Sequence, residues 1–227
     1  MLIVSNEQRS GSVGATTYAK NRFGMYARQR VVPVNPNTER QVQARSRMSL
    51  LTNLWNTTLT PAERDGWNSY AANVPMLNRL GQTIYVTGFN MYIRTNSLVL
   101  QAGLTRVDTP PGLFLKGESD PTFAITVSEA TQLISVAFDN ALDWAGEVGG
   151  ALMVFAGSPV MTALNFFGGP WKYAGKVVGA VVPPTSPVTI ACPQQVLEDQ
   201  KLWVQARVVR ADGRVSDPFS GSCSVGA

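Results

Sequence analysis

At 227 residues, with 44% apolar and 15% charged side chains, the chain can build one large or two ordinary domains and carries too little charge to be disordered. It has no histidine, which removes Ser-His and Cys-His nucleophiles, the commonest general base and most transition-metal sites. No catalytic residue, metal or cofactor is therefore expected, and the chain is read as a non-enzyme. Its net charge of +4 is unevenly placed: residues 1–107 hold 12 Lys/Arg against 4 Asp/Glu (+8), and residues 108–227 hold 7 against 11 (−4). Such a split implies two modules with different roles, or head-to-tail contact between copies of the chain.

The opening stretch MLIVSNEQRS lacks the basic-then-apolar order of a signal peptide. No apolar run approaches the roughly 20 residues of a membrane helix, so a soluble protein made in the cytoplasm, without membrane attachment, is expected. Residues 1–36 mix glycine, small residues, the aromatics Tyr18, Phe23 and Tyr26, and single arginines, without periodicity. This predicts an extended basic arm with at most one strand, ordered against a partner. Pro33 and Pro36 keep its end extended and out of internal ladders.

Asn37 or Thr38 can cap a first helix, on which Ala44, Met48, Leu51 and Trp55 share one face while Arg40, Gln43 and Arg47 share the other. Thr60-Pro61-Ala62-Glu63 is a capping box with proline at the first helical position, and Trp67, Tyr70, Ala71 and Val74 follow at helical spacing. Thr83 to Val86 suggest one short strand. From Gly88 a third helix places Phe89, Ile93, Asn96 and Leu100 on one side and stops at Gly103. Residues 37–105 form a three-helix module on this reading, and Trp55, Trp67, Tyr70 and Tyr92 are its core rather than a ligand cage.

Prolines and glycines make residues 106–121 a linker. Seven β-prone segments then follow within residues 122–227, beginning at TFAITVS and ending around RVSDPFSGSC. Leu202, Val204, Ala206 and Val208 alternate with Trp203, Gln205, Arg207 and Val209, and Ala211-Asp212-Gly213-Arg214 is a hairpin turn. The fold class expected is thus α+β and multidomain: an extended arm, a small three-helix module and a C-terminal sandwich of immunoglobulin type.

Two resemblances add to this. The run LWVQARVVRADGRVSDPFS (Leu202 to Ser220) resembles the last hairpin of the fibronectin type III family, which implies a spacer, display or adhesion module without catalytic residues. Residues 10–105, and within them PVNPNTERQ and LTPAERDGW, resemble small structural proteins of tailed phages and prophages. That resemblance implies a virion component: a capsid decoration or cement protein, or alternatively a neck, tail or baseplate component. Its partners would be other virion proteins (capsid, neck or tail subunits) and further copies of itself.

The candidate partner-binding residues are Arg9, Lys20, Arg22, Phe23, Tyr26, Arg28, Arg30, Arg40, Arg45 and Arg47, with Phe166, Phe167 and Trp171 of FFGGPW as a candidate contact loop. The same basic residues with Tyr18, Phe23 and Tyr26 could instead grip nucleic acid, by phosphate contact and base stacking. Singly spaced arginines without lysine clusters favour carboxylates on neighbouring subunits over DNA. Asp139, Asp143 and Glu147, with Asn140, form the one carboxylate cluster, and a polar loop between strands accounts for them better than a calcium site or an acid/base pair. Cys192 and Cys223, 31 residues apart, could form a disulfide, but buried free thiols fit better.

Overall fold

Each helix begins where its capping residues dictate. In this computed structural model, which describes residues 9–21, 24–78 and 81–226, Thr60 caps α2 (Pro61–Asn73). Its hydroxyl accepts from the Glu63 amide, and the Glu63 carboxylate accepts from the Thr60 amide at 2.8 Å, which satisfies two otherwise orphaned donors. Thr38 precedes α1 (Glu39–Thr57), with its amide donating to the Gln41 side chain, and Asn37 turns the chain at φ 49°. Thr87 caps α3 (Gly88–Gln101), and Gly103 ends it at φ +65°, a left-handed conformation that glycine adopts without strain.

The chain divides into two units, residues 1–43 and 44–227. In the first, the expected arm is not one extended strand. It is an antiparallel meander of β1 (Gly11–Val13), β2 (Thr16–Asn21) and β3 (Gly24–Gln29), in order β1-β2-β3. Gly14, at φ +58°, makes the first turn. Residues 30–38 beyond it have no regular structure and are exposed, as their two prolines require.

In the second unit the helices bury Leu51, Leu59, Trp67, Tyr70, Ala71, Val74, Met91, Tyr92 and Ile93 together. The rings of Trp67 and Tyr92 meet edge-on at 5.6 Å, and Trp55 reaches Tyr92 at 5.5 Å. Helices α2 and α3 cross closely at Gly88, where a Cβ would lie 2.5 Å from the Asn68 amide nitrogen. Trp67, Tyr70, Ala71 and Val74 are buried as their spacing predicts. On α1 the predicted face is buried only at Leu51; Ala44 and Met48 are exposed. A two-stranded ribbon, β4 (Met76–Leu77) with β5 (Thr83–Ile84), joins α2 to α3.

The remaining strands are β6 (Ala124–Ser128), β7 (Leu133–Ala137), β8 (Ala151–Ala156), β9 (Val160–Met161), β10 (Lys172–Val178), β11 (Val188–Ala191), β12 (Gln200–Val209) and β13 (Phe219–Gly226). They form one large sheet in the order β10-β8-β12-β13-β6-β7-β11, with β9 attached to β12. Every pairing is antiparallel except β13 with β6. The sheet curls until it is nearly barrel-like. Ile134 and Val136 of β7 share one core with Val154 of β8 and Val204 of β12, and Gly175 of β10 leaves only enough room for Ile190 of β11, whose Cγ2 would lie 2.8 Å from an added Cβ. The fold is therefore α+β, with three helices and a large, mostly antiparallel sheet among the described residues.

Alternation along β12 holds as far as Val208: Leu202, Val204, Ala206 and Val208 point into the core. Val209 breaks it because α3 covers the opposite face, where Val99 and Ala102 pack on Met153, Val209 and Val215. The Asp-Gly hairpin docks against the same helix: Thr95 Oγ1 donates to Gly213 O at 2.9 Å and Arg94 Nη2 to Ser216 O at 3.0 Å.

Residues 106–121, read from their prolines as a linker, form a packed strap instead. Asn96 brackets Val107, with Nδ2 donating to its carbonyl and Oδ1 accepting from its amide, both at 2.8 Å. Trp67 Nε1 donates to Asp108 O at 2.7 Å, Tyr70 OH to Leu115 O at 2.8 Å, and Lys116 pairs with Asp217 at 2.5 Å. Proline and glycine exclude the strap from regular ladders, so side chains supply the partners that its backbone needs.

Candidate partner-binding surface

The first unit is unusual in what it fails to bury. Among the described residues from 9 to 50, none is buried; Leu51 is the first. A three-stranded sheet that buries none of its described residues gains little from apolar burial to set against the entropy of ordering it. Its backbone ladder is nonetheless complete, with Thr16 to Asn21 paired to Gln29 to Gly24 and Arg30 N donating to Ala15 O at 2.7 Å.

The meander's register sorts the basic residues. Arg28 pairs with Thr17 and Tyr26 with Ala19, so both lie on one face; Lys20 pairs with Met25 and Tyr18 with Ala27, on the other. The positive charges and aromatic rings are thus shared between two faces, not gathered on a single stacking platform. Arg9, Lys20, Arg28 and Arg30 are exposed, and Tyr26 is half-buried. Arg22 and Phe23 lie outside the described residues. Arg40 and Arg45 are exposed on α1, whereas Arg47 is half-buried with its Nε buried and without a hydrogen-bond partner.

Further apolar side chains within residues 31–50 are exposed, among them Met48, which the helical spacing places on a covered face. Val31, Val32 and Val34 are 75%, 74% and 90% exposed, and Val42, Met48 and Leu50 are exposed on α1. Their adjacency to arginines was visible in RQRVVPVNPNTER; their exposure was not.

The aromatic loop is only partly a contact surface. Phe166 is 79% exposed, but the Phe167 ring lies directly over Gly157 and meets Trp171 edge-on at 5.1 Å. The carboxylate cluster is occupied from within: Arg210 Nε reaches Glu147 at 2.5 Å and Nη1 reaches Asp143 at 3.1 Å. No group of acidic, cysteine or histidine side chains suited to a metal exists among the described residues. Cys192 and Cys223 are free thiols, half-buried, and burial pushes both up from the ordinary thiol value.

A hollow of about 580 Å³ lies between the end of α3, the start of the strap and the Arg210 loop. Its arginines face their own carboxylates, Arg106 on Asp108 at 2.5 Å and Arg210 on Glu147. Arg94 and Arg207 are both held below the usual arginine value, chiefly by burial; Arg94 is lowered further by Arg207 itself. A second hollow, also about 580 Å³, opens beside β9 and is lined by Pro159, Val160, Met161, Thr162, Leu164, Asp199 and Gln200. β9 is too short to register as a strand in the sequence, so this site had no sequence signal beyond the acidic pair Glu198-Asp199. No helix of the described residues is long and apolar enough to cross a membrane. No family model matches the chain, and no curated protein does so.

Proposed function

We propose that the chain is a non-enzymatic structural protein of a tailed-phage virion, acting as a capsid decoration or cement protein. The meander, residues 30–38 and the start of α1 anchor it across neighbouring subunits. The C-terminal sheet is a fibronectin III-like sandwich displayed outward. The observation that carries this reading is that none of the described residues up to 50 is buried, although they form strands and the first turns of a helix. Ordered structure without a core belongs in an assembly, where a neighbouring subunit supplies the missing contacts.

The sandwich reading is supported by strand order. The order β10-β8-β12-β13-β6-β7-β11, with β13 parallel to β6, is the sequence of neighbours that the strands of an immunoglobulin-type domain would give. A protein partner is favoured over nucleic acid because the basic groups divide between two faces of the meander.

The test is mass spectrometry of particles purified from cells that produce the chain, with limited proteolysis of free and assembled protein. The chain should be present in multiple copies per particle, and residues 9–38 should be cut when free and protected when assembled. Absence from purified particles refutes the proposal.

A further inference from the structure

We infer that the segment Arg30-Val31-Val32-Pro33-Val34 docks on a second copy of this chain, in the hollow beside β9, so that copies join head to tail. This rests on the reading of the chain as an assembly component and names one of its partners.

The segment combines positive charge with uncovered apolar side chains. Arg28 and Arg30 are exposed, and so are the three valines after them. No acidic residue occurs between Gln8 and Thr38, so the segment has no carboxylate near it in sequence. Pro33 and the restriction it places on Val32 hold the backbone extended.

The hollow offers the complement. Met161 is 78% exposed, and Leu164 and Leu197 are exposed beside it. Glu198 and Asp199 are exposed and take part in no ion pair among the described residues, while the Glu198 amide donates to Glu129 at 2.8 Å and draws a third carboxylate close. Asp199 sits at φ 61°, in the turn before β12. β9 pairs only with β12 among the described residues, through Gln200 with Met161 and Lys201 with Val160, which leaves its other edge open. An extended segment can add to such an edge through its main chain, its valines meeting Met161 and Leu164 and its arginines meeting Asp199 and Glu198.

The charge split of the whole chain points the same way, since the donor lies in the +8 half and the acceptor in the −4 half. A contact between unlike surfaces of identical chains is heterologous, and so closes into a ring or extends as a filament.

The experiment is sedimentation velocity on the purified full chain across a roughly hundredfold range of concentration, at low and high salt. Wild type should self-associate with concentration, and more weakly as salt rises. Arg30→Glu and Asp199→Arg, both at exposed positions, should each weaken association about tenfold or more while leaving the circular dichroism spectrum and thermal midpoint unchanged. An equimolar mixture of the two variants should associate again, because each supplies the partner that the other's altered residue needs. A wild-type chain that stays monomeric throughout overturns the inference, as does a mixture no better than its components. Because no virion is used, presence of a monomeric chain in purified particles would overturn this inference and leave the proposed function standing.

Discussion

Asn96 is fully buried on α3 and, with Trp67 and Tyr70 of α2, holds the strap. Its amide satisfies both backbone groups of Val107 at 2.8 Å, and Nδ2 also reaches Tyr92 O at 3.3 Å. Replacing it by alanine leaves the Val107 amide and carbonyl without their partners. Each orphaned buried group costs ~1–3 kcal/mol, and because Val107 is half-buried the lower part of that range applies, giving about 2–3 kcal/mol for Asn96→Ala. Asn96→Asp separates the two bonds. The remaining oxygen still accepts from Val107 N, but a second carboxylate oxygen now faces the Val107 carbonyl, so the neutral acid is favoured in the fold and its pKa rises above the unfolded value. Stability relative to wild type is then retained below the ordinary carboxylate pKa and lost as pH rises through the raised one. Urea unfolding of wild type and both variants at pH 4.5 and pH 7 reads this directly: Asn96→Ala should lose a similar amount at both, and Asn96→Asp should lose clearly more at pH 7. A loss below about 1 kcal/mol in Asn96→Ala, or a pH-independent Asn96→Asp, would show that the strap is not held by this residue.

Thr60→Ala removes the acceptor for the Glu63 amide and should cost about 1 kcal/mol of stability by urea unfolding, with Thr60→Ser close to wild type. Gly179→Ala places a methyl group against the backbone carbonyls of Trp144 and Glu147, the latter at 2.6 Å; a destabilisation of about 3 kcal/mol or failure to accumulate as folded protein is expected, read by thermal unfolding. Burial pushes the Tyr70 phenol from 10.0 up to about 12. The folded state thus favours the neutral phenol, whose contribution is complete below pH 10 and falls as pH rises toward 12; Tyr70→Phe should show a shallower loss of stability over that window in alkaline unfolding followed by circular dichroism.

The parts of the fold legible in sequence were those fixed by neighbouring residues. The box at Thr60 to Glu63 and the stop at Gly103 depend on local backbone chemistry, and the Trp67–Val74 stripe on a single covered face. Where burial comes from two sides or from none, periodicity misleads. Helix α3 lies between helices and sheet, so Met91 and Val99 are buried outside the expected face. None of the meander's described residues is buried, and TTYAKN and GMYARQ carry no apolar alternation to mark them. The strap shows a third case: PPG forbids a ladder but not a buried backbone, and Asn96 was the available clue, as a polar residue on an otherwise apolar helix face. In the candidate surface, the arginines were legible as charge, whereas the hollow at β9 depends on tertiary placement of two residues that pair with β12.

The bond from Thr95 to Gly213 spans 118 residues. At ribosomal rates of roughly 5–20 residues per second, the third helix waits about 6–24 s after emerging before the hairpin that covers it has been made. Throughout that interval Val99 and Ala102 lack Val209 and Val215 to lie on. The nascent chain is therefore most vulnerable to mispairing on the polysome, and variants that weaken the Asp212-Gly213 turn should lower the yield of soluble protein before they measurably lower the stability of what does fold.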